Sequence, residues 1–319
     1  NQIIMTTLQK ILAIYNRLTL RDDQKAVCDA MAENSKLTVC MPTGTGKSRI
    51  IYSDILINSA ESTDDVFCIA THRLLLNKQH MKLIFGIFKD LIPNMAFVLV
   101  GSDDIDLERL VDKDMEREYF NSVGIDPAEL VSRCTIKDEI KNIVEKHRAK
   151  HRDVVIITTY HSLDKLAGLP LHTIYCDEAH LLATQAEKTN FSDNFKKITA
   201  TRTFFFTATP KDLVETEKDV ASTFLMNNEA IFGKREGLTF REAIVKQLIS
   251  TPVIHTIRVN GFDYNKDYDA PENCAKAVLG GFKAHELKIN QHLHTVLPLP
   301  IKTEVHIVAP KLVFKCQSV

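Results

Sequence analysis

The sequence predicts an α/β fold in which a parallel sheet is covered by helices on both faces. Short apolar runs of strand length recur along the chain, and segments with apolar residues at helical spacing separate them. A Gly-containing loop also joins the first such run to the first such helix, giving strand, loop and helix in that order. The first strand is Lys36 to Cys40 (KLTVC), and its helix runs from Lys47 to Ala60. Val66 to Ala70 follows as a strand, then a helix from Arg73 to about Asp90, then Ala96 to Val100. Val154 to Thr159, Ile174 to Cys176 and Thr203 to Phe206 complete the expected strands. Apolar strands alternating with helices imply a parallel sheet covered on both faces. No repeat of 20 to 50 residues is visible, so a solenoid is excluded.

At about 150 residues per domain, the 319 residues allow about two domains. The composition, 45% hydrophobic and 25% charged, excludes collagen-like and wholly disordered chains. Forty Lys and Arg against 41 Asp and Glu leave a formal charge of −1, so any phosphate-binding surface is a local patch. The seven cysteines are scattered and never form C-x-x-C, which argues against a disulfide framework and a zinc site and for a reducing compartment. Apolar stretches fall far short of the roughly 20 residues of a membrane helix. The expectation is a soluble intracellular protein without a membrane partner, in the cytoplasm or nucleus, or in a host cell's cytoplasm if viral. A chain that opens on Asn1 rather than Met reads as processed or cut.

Two stretches break the rhythm. Ser102 to Glu118 carries eight acidic and three basic residues, and it reads as the start of a solvated helical insertion over 102–150 that would repel a phosphate backbone. Residues 260–273 are polar and rich in Asp, Asn, Gly and Pro, as a linker is. The expected domains are therefore 1–259 and 274–319.

Met41 to Ser48 reads MPTGTGKS, a P-loop in the context the motif needs, after a strand and opening a helix. Pro42, Thr43, Gly44, Thr45 and Gly46 would form the turn whose backbone N–H groups cradle phosphate oxygens. Lys47 would reach the β and γ phosphates, and Ser48 would ligate Mg²⁺, with Arg49 following. Met41 replaces the usual first Gly. Asp177-Glu178-Ala179-His180 ends another strand, at the edge where an open α/β sheet presents ligands. Asp177 would hold Mg²⁺, and Glu178 could accept a proton from, or orient, the attacking water. His285, His292 and His294 lack ligand spacing, so no metal is assigned to them.

Over residues 18 to 259 the chain resembles the first motor domain of a superfamily 2 helicase or translocase. Leu20-Arg21-Asp22-Asp23-Gln24 resembles the L-R-x-x-Q element, in which Gln24 would read adenine and Arg21 would join the nucleotide site. Ala70-Thr71-His72-Arg73, Gly101-Ser102 and Thr158-Thr159-Tyr160-His161-Ser162-Leu163 resemble three loops that grip one nucleic-acid strand in that family. Hydroxyls, loop N–H groups and Arg73 can bind phosphates without reading sequence. Thr207-Ala208-Thr209-Pro210 resembles the motif that couples nucleotide state to the neighbouring domain, and His180 would act with the catalytic carboxylates.

The resemblance implies a RecA-like P-loop domain, ATP and Mg²⁺ as cofactors, and DNA in preference to RNA, since T-A-T-P and T-Y-H-S-L look like the DNA-directed, restriction-motor group. Lys311 to Val319 resembles the first strand of a second RecA-like domain. The element Q-x-x-G-R-x-x-R, which supplies arginine fingers in this family, does not occur in the sequence. The resemblance therefore implies a partner motor half or further subunits, and weak hydrolysis by this chain alone, with Arg202, Arg235 and Arg241 as substitute fingers if turnover is fast. Three functions stay open: an ATP-driven helicase or translocase, the motor portion of a restriction-type complex, and a nucleotide-gated scaffold that holds DNA without moving along it.

Overall fold

The structure is a computed structural model, and it describes residues 7–88, 94–101, 127–183, 190–212, 224–250, 304–309 and 312–317. The chain divides into two compact units, Asn1–Leu248 and Ile249–Val319.

In the first unit the apolar runs become the strands of one sheet. In chain order they are β1 (Lys36–Cys40), β2 (Val66–Thr71), β3 (Met95–Val100), β4 (Val131–Cys134), β5 (Asp153–Thr159), β6 (Leu171–Asp177), β7 (Ala200–Thr207) and β8 (Lys234–Gly237). They assemble in the order β4-β3-β5-β2-β6-β7-β1-β8, and every pairing in this sheet is parallel. β2, β3 and β5 are buried along their whole length, as strands covered on both faces are.

Alternate residues serve opposite faces. Val66, Cys68, Val98, Val154, Ile156, Ile174 and Phe205 share one cluster with Ile140 and Val144 of the helix Lys137–Arg148 and with Leu163 and Leu166. Tyr175, between Ile174 and Cys176, points the other way and donates its phenol to Asp54 at 2.6 Å. Asp54 lies on α3 (Lys47–Glu61), which packs beside α1 (Thr7–Leu18) and α2 (Asp22–Glu33). Helix α3 buries residues around most of its circumference, including Ile50, Ile51, Tyr52, Ile55 and Leu56.

Asp54 is the acceptor of a buried network. Arg202 of β7 grips it with both guanidinium nitrogens, at 3.1 and 3.0 Å, and donates to the Met31 carbonyl at 2.9 Å. The same guanidinium lies over the Phe204 ring at 4.7 Å. This pair joins α2, α3 and β7, so Arg202 is committed to the fold rather than free to serve as an arginine finger. Arg235 is likewise held by Asp212, at 2.6 and 3.0 Å.

Two sheet strands were not legible in the sequence. β4 sits at one edge and draws residues 127–150 of the expected insertion into the fold, together with the helix Lys137–Arg148, whose Ile140, Val144 and His147 are buried. Residues 102–126 of that insertion lie outside the described residues. β8 closes the other edge with four exposed residues. The helix Phe240–Val245 follows it, started by a capping box in which Glu242 N–H donates to Thr239 Oγ1 at 3.2 Å and Thr239 N–H to Glu242 Oε2 at 2.8 Å.

Among the described residues Cys28, Cys40, Cys68, Cys134 and Cys176 are free thiols. Burial, with Asp54 and Asp29 adding, pushes Cys28 up to about 12, so it behaves as a small hydrophobe. No helix among the described residues is long and apolar enough to cross a membrane. In the second unit, β9 (Glu304–Ala309) and β10 (Leu312–Gln317) form an antiparallel pair with Leu312 opposite Ala309 and Gln317 opposite Glu304. The expected linker at 260–273 and the histidines at 285, 292 and 294 lie outside the described residues.

Candidate nucleotide and nucleic-acid site

Register along the carboxyl edge of the sheet gathers the motifs. Cys40, just before the P-loop, pairs with Thr207; Phe206 pairs with Asp177; Cys176 pairs with Ala70, and Thr71 with Thr159. From β1 through β7, β6 and β2 to β5 is four strand spacings, roughly 19 Å at about 4.8 Å each. The P-loop, the Thr207 segment, Asp177-Glu178 and the Thr71 and Thr159 loops therefore follow one another along a single edge.

The P-loop geometry explains its glycines. Gly44 and Gly46 both have φ +85°, a left-handed conformation that costs other residues about 1–2 kcal/mol. A Cβ on Gly46 would lie 2.6 Å from Gln24 Nε2, whereas one on Gly44 would meet nothing within 4 Å. Gly46 is the N-cap of α3 and provides no side-chain hydrogen bond, which leaves the first-turn N–H groups for an anion. Thr45 N–H and hydroxyl both donate to the Pro42 carbonyl, at 3.3 and 2.6 Å, and close the turn from within. Lys47, 8% exposed, donates to the Met41 carbonyl at 3.2 Å. Met41 extends the β1–β7 ladder by donating its N–H to the Thr207 carbonyl at 3.0 Å, and its side chain joins the core, so this departure from Gly fits the loop.

Gln24 is fully buried and differs from the expectation of an adenine reader. Its Oε1 accepts the Arg21 N–H at 3.0 Å, and its Nε2 donates to the carbonyls of Thr45 and Gly46 at 3.1 and 3.3 Å. Only this amide orientation satisfies one donor and two acceptors together. Arg21 adds a 2.7 Å bond to the Thr45 carbonyl while its guanidinium is held by Asp23 at 3.0 and 2.8 Å. In this arrangement both residues brace the P-loop. Arg49 turns away and donates to the Leu18 carbonyl at 3.3 Å.

Asp177 ends β6 with its side chain 15% exposed. Burial pushes its carboxyl up, but His80, Lys47 and the Glu178 N–H outweigh that and hold it below the usual carboxylate range. An ionised carboxylate and a P-loop Ser are donor types that suit Mg²⁺, which is bound through one or two carboxylates and substrate phosphates rather than an all-protein cage. Among the described residues no group of three His, Cys, Asp or Glu is placed to hold a metal. Ser48, the second expected ligand, is half-buried at the start of α3.

Glu178 adopts φ 52°, ψ 47°, a strained conformation for a residue with a side chain. It turns the chain into the 3₁₀ helix Ala179–Leu181. His180 Nδ1 lies 3.4 Å from Glu178 Oε2 and 3.0 Å from Thr207 Oγ1. Thr207 Oγ1 also accepts the Thr209 N–H at 3.1 Å, so His180 joins Glu178 to the Thr207-Ala208-Thr209 segment expected to couple domains.

The expected strand-gripping residues divide. Arg73 and His161 are exposed and His72 is half-buried, all at loop positions on the same edge. His72 is held below its usual range by burial and by Arg73, against the opposing pull of Glu178 and Asp177, which places this loop within the electrostatic reach of the carboxylates. Thr71 is fully buried, and its hydroxyl is spent on the Asn77 side chain at 2.6 Å and the Arg73 carbonyl at 3.0 Å. Thr159 and Gly101 are buried. Tyr160 is fully buried and donates to the Asp177 carbonyl at 2.7 Å, so it supports the carboxylate strand instead of facing solvent. The side chains of Thr71, Thr159 and Tyr160 are thus turned away from solvent. Asn194 donates to the Tyr160 and His161 carbonyls at 3.2 and 3.1 Å and fixes the loop that presents His161. Ser102 lies outside the described residues. Sequence reasoning missed Tyr52 and His80, buried polar residues on helices behind Asp177.

The fold is similar to that of the ATP-dependent Type ISP restriction-modification enzyme LlaBIII bound to DNA, with TM-score 0.53 and 17% identity over 75% of this chain and 16% of that one. A nuclease-deletion mutant of the Type ISP enzyme LlaGI, in complex with a DNA substrate mimic, matches at TM-score 0.49 and 20% identity over 85% of this chain and 22% of that one. The Pyrococcus furiosus Hef helicase domain matches at TM-score 0.47 and 17% identity over 76% of this chain and 44% of that one. The chain thus spans 16% and 22% of the length of the two restriction-modification enzymes. No curated protein matches the sequence. Residues 17–212, more than half of the chain, match the family described as "Type III restriction enzyme, res subunit". The chain belongs to that family, and its parallel sheet flanked by helices is a RecA-like fold.

Proposed function

We propose that this chain binds Mg-ATP at the carboxyl edge of its sheet and uses its hydrolysis to move along or unwind DNA. The observation that carries the reading is the register that sets the P-loop, Asp177-Glu178 and the Thr207 segment on three adjacent strands, with the Thr71 and Thr159 loops next in line. Backbone N–H groups of the P-loop and Lys47 would hold the β and γ phosphates, braced by Gln24 and Arg21. Ser48 and Asp177 would hold Mg²⁺, which when bound neutralises phosphate charge. Glu178 would orient the attacking water and accept its proton, and His180 would carry its position to Thr207. Arg73, His72 and His161 would meet a phosphate backbone without reading sequence. The likeness to LlaBIII, whose own description is ATP-dependent and DNA-bound, supports DNA as the partner.

Family membership favours one variant of this reading, the motor portion of a restriction-type complex. ATP hydrolysis measured with and without single-stranded and duplex DNA tests the proposal. Mg²⁺-dependent ATP binding with slow turnover that DNA barely stimulates is expected of this chain alone. Nucleotide binding without any response to DNA in a preparation that contains the partner motor half would leave only the scaffold reading.

A further inference from the structure

The two proposed Mg²⁺ ligands come from different elements, Ser48 from α3 and Asp177 from β6, and two buried side chains connect them. Tyr52 lies one helical turn beyond Ser48, which sets the two side chains on the same face of α3. The Tyr52 phenol lies 2.9 Å from His80 Nδ1, the other ring nitrogen of His80 lies 3.6 Å from Asp177 Oδ2, and the two rings meet edge to face with centroids 6.0 Å apart. Tyr52 is 2% exposed and His80 4%, so water does not compete for these contacts.

Chemistry fixes the direction of this chain. A carboxylate can only accept, so the ring nitrogen facing Asp177 must carry a proton. In the neutral imidazole the other nitrogen then accepts, and the Tyr52 O–H donates to it. The opposite tautomer would set a lone pair against the Asp177 carboxylate. The Asp177 carboxylate therefore fixes the tautomer that presents Nε2–H to it, and the Tyr52 phenol satisfies the Nδ1 lone pair and holds the ring, as groups behind metal ligands commonly do. At 3.6 Å the N–H steers the carboxylate electrostatically rather than binding it tightly. His80 reaches this place from α4 (Leu74–Phe88), the helix that begins immediately after Arg73.

We propose that His80, held from behind by Tyr52, is a positioning residue that orients Asp177 toward the divalent cation of a bound nucleoside triphosphate. The inference rests on the nucleotide reading above. Groups of this kind are worth about 10–100-fold in metal affinity.

The test uses the 319-residue chain and a fluorescent ATP analogue, titrated with Mg²⁺ and compared with the same binding in EDTA. His80→Gln keeps an N–H near the position of Nε2, whereas His80→Asn keeps an amide only near Nδ1 and loses the donor that faces Asp177. His80→Asn should raise half-saturating Mg²⁺ by about 10–100-fold, with binding in EDTA and the thermal midpoint unchanged. His80→Gln should stay close to the unmodified chain. Tyr52→Phe, which removes the partner of Nδ1 and frees the ring to turn, should raise half-saturating Mg²⁺ several-fold, and this decides the matter if His80→Asn does not fold. Equal Mg²⁺ dependence in His80→Asn and the unmodified chain, equal losses in the Asn and Gln variants, or an unchanged Tyr52→Phe overturns the positioning role alone. Absence of Mg²⁺-dependent nucleotide binding in the unmodified chain overturns it together with the proposed function.

Discussion

Gly46→Ala and Gly44→Ala should differ sharply although both glycines have φ +85°. Each alanine costs about 1 kcal/mol for the left-handed conformation alone. At Gly44 nothing stands within 4 Å of the new Cβ, so that cost is the whole effect. At Gly46 the Cβ would lie 2.6 Å from Gln24 Nε2, a buried atom that donates to the Thr45 and Gly46 carbonyls. Displacing it breaks two hydrogen bonds of about 1 kcal/mol each and brings the total to about 3 kcal/mol. At about 1.4 kcal/mol per tenfold, Gly46→Ala should weaken nucleotide affinity by about 100-fold and Gly44→Ala by about fivefold. Titration with a fluorescent ATP analogue, with circular dichroism to confirm folding, measures both. In a Gln24→Ala background, Gly46→Ala should cost no more than Gly44→Ala, a coupling of about 2 kcal/mol. Equal losses in the two single variants, or no coupling to Gln24, would refute Gln24 as the brace of the P-loop.

Glu178→Gln keeps the shape but not the basicity of the side chain, so ATP binding should persist while single-turnover hydrolysis falls by about 100-fold or more. Arg73→Ala should weaken DNA binding equally across sequences and lower its salt slope by about one, measured by anisotropy, whereas Thr71→Val should alter the thermal midpoint and leave the slope unchanged. Arg202→Leu leaves Asp54 charged and unpaired inside the protein and should destabilise it by about 3–5 kcal/mol in denaturant melts; a loss below 1 kcal/mol would contradict the structural role. Asp153 is raised to about 6, chiefly by burial, against an ordinary value of 3.8. A carboxyl with a raised folded pKa holds its proton more firmly when folded, so its contribution is present below pH 3.8 and is lost as pH rises to 6. Asp153→Asn should therefore stabilise the protein at pH 7.5, with the gain disappearing toward pH 4.

The central strands were legible because a strand covered on both faces must be apolar throughout, as Val66–Thr71 and Met95–Val100 are. The edge strands were not. Val131–Cys134 (VSRC) has two residues that are not buried, and Lys234–Gly237 (KREG) exposes all of its residues, so no apolar run marks it as a strand. Nor does sequence order reveal that β7 would separate β1 from β6. In the site, the P-loop and Asp177-Glu178 were readable because their spacing and flanking elements restrict what they can do. Gln24 was harder, because an amide can face a base or a backbone equally well. The Thr71 and Tyr160 side chains read as strand-end contacts, yet each is turned inward by a specific acceptor, Asn77 and the Asp177 carbonyl. Tyr52 and His80 sit among apolar residues at helical spacing, and only tertiary packing brings them behind Asp177.

Calorimetric titration of the unmodified chain and Lys47→Ala with ATP, each in Mg²⁺ and in EDTA, tests the central claim most directly. Saturable binding of one nucleotide per chain is expected, requiring Mg²⁺ for full affinity and weakened severely by Lys47→Ala, whose native ammonium is buried against the Met41 carbonyl. Equal affinity in the two proteins, or no binding to either while both are folded, would contradict it.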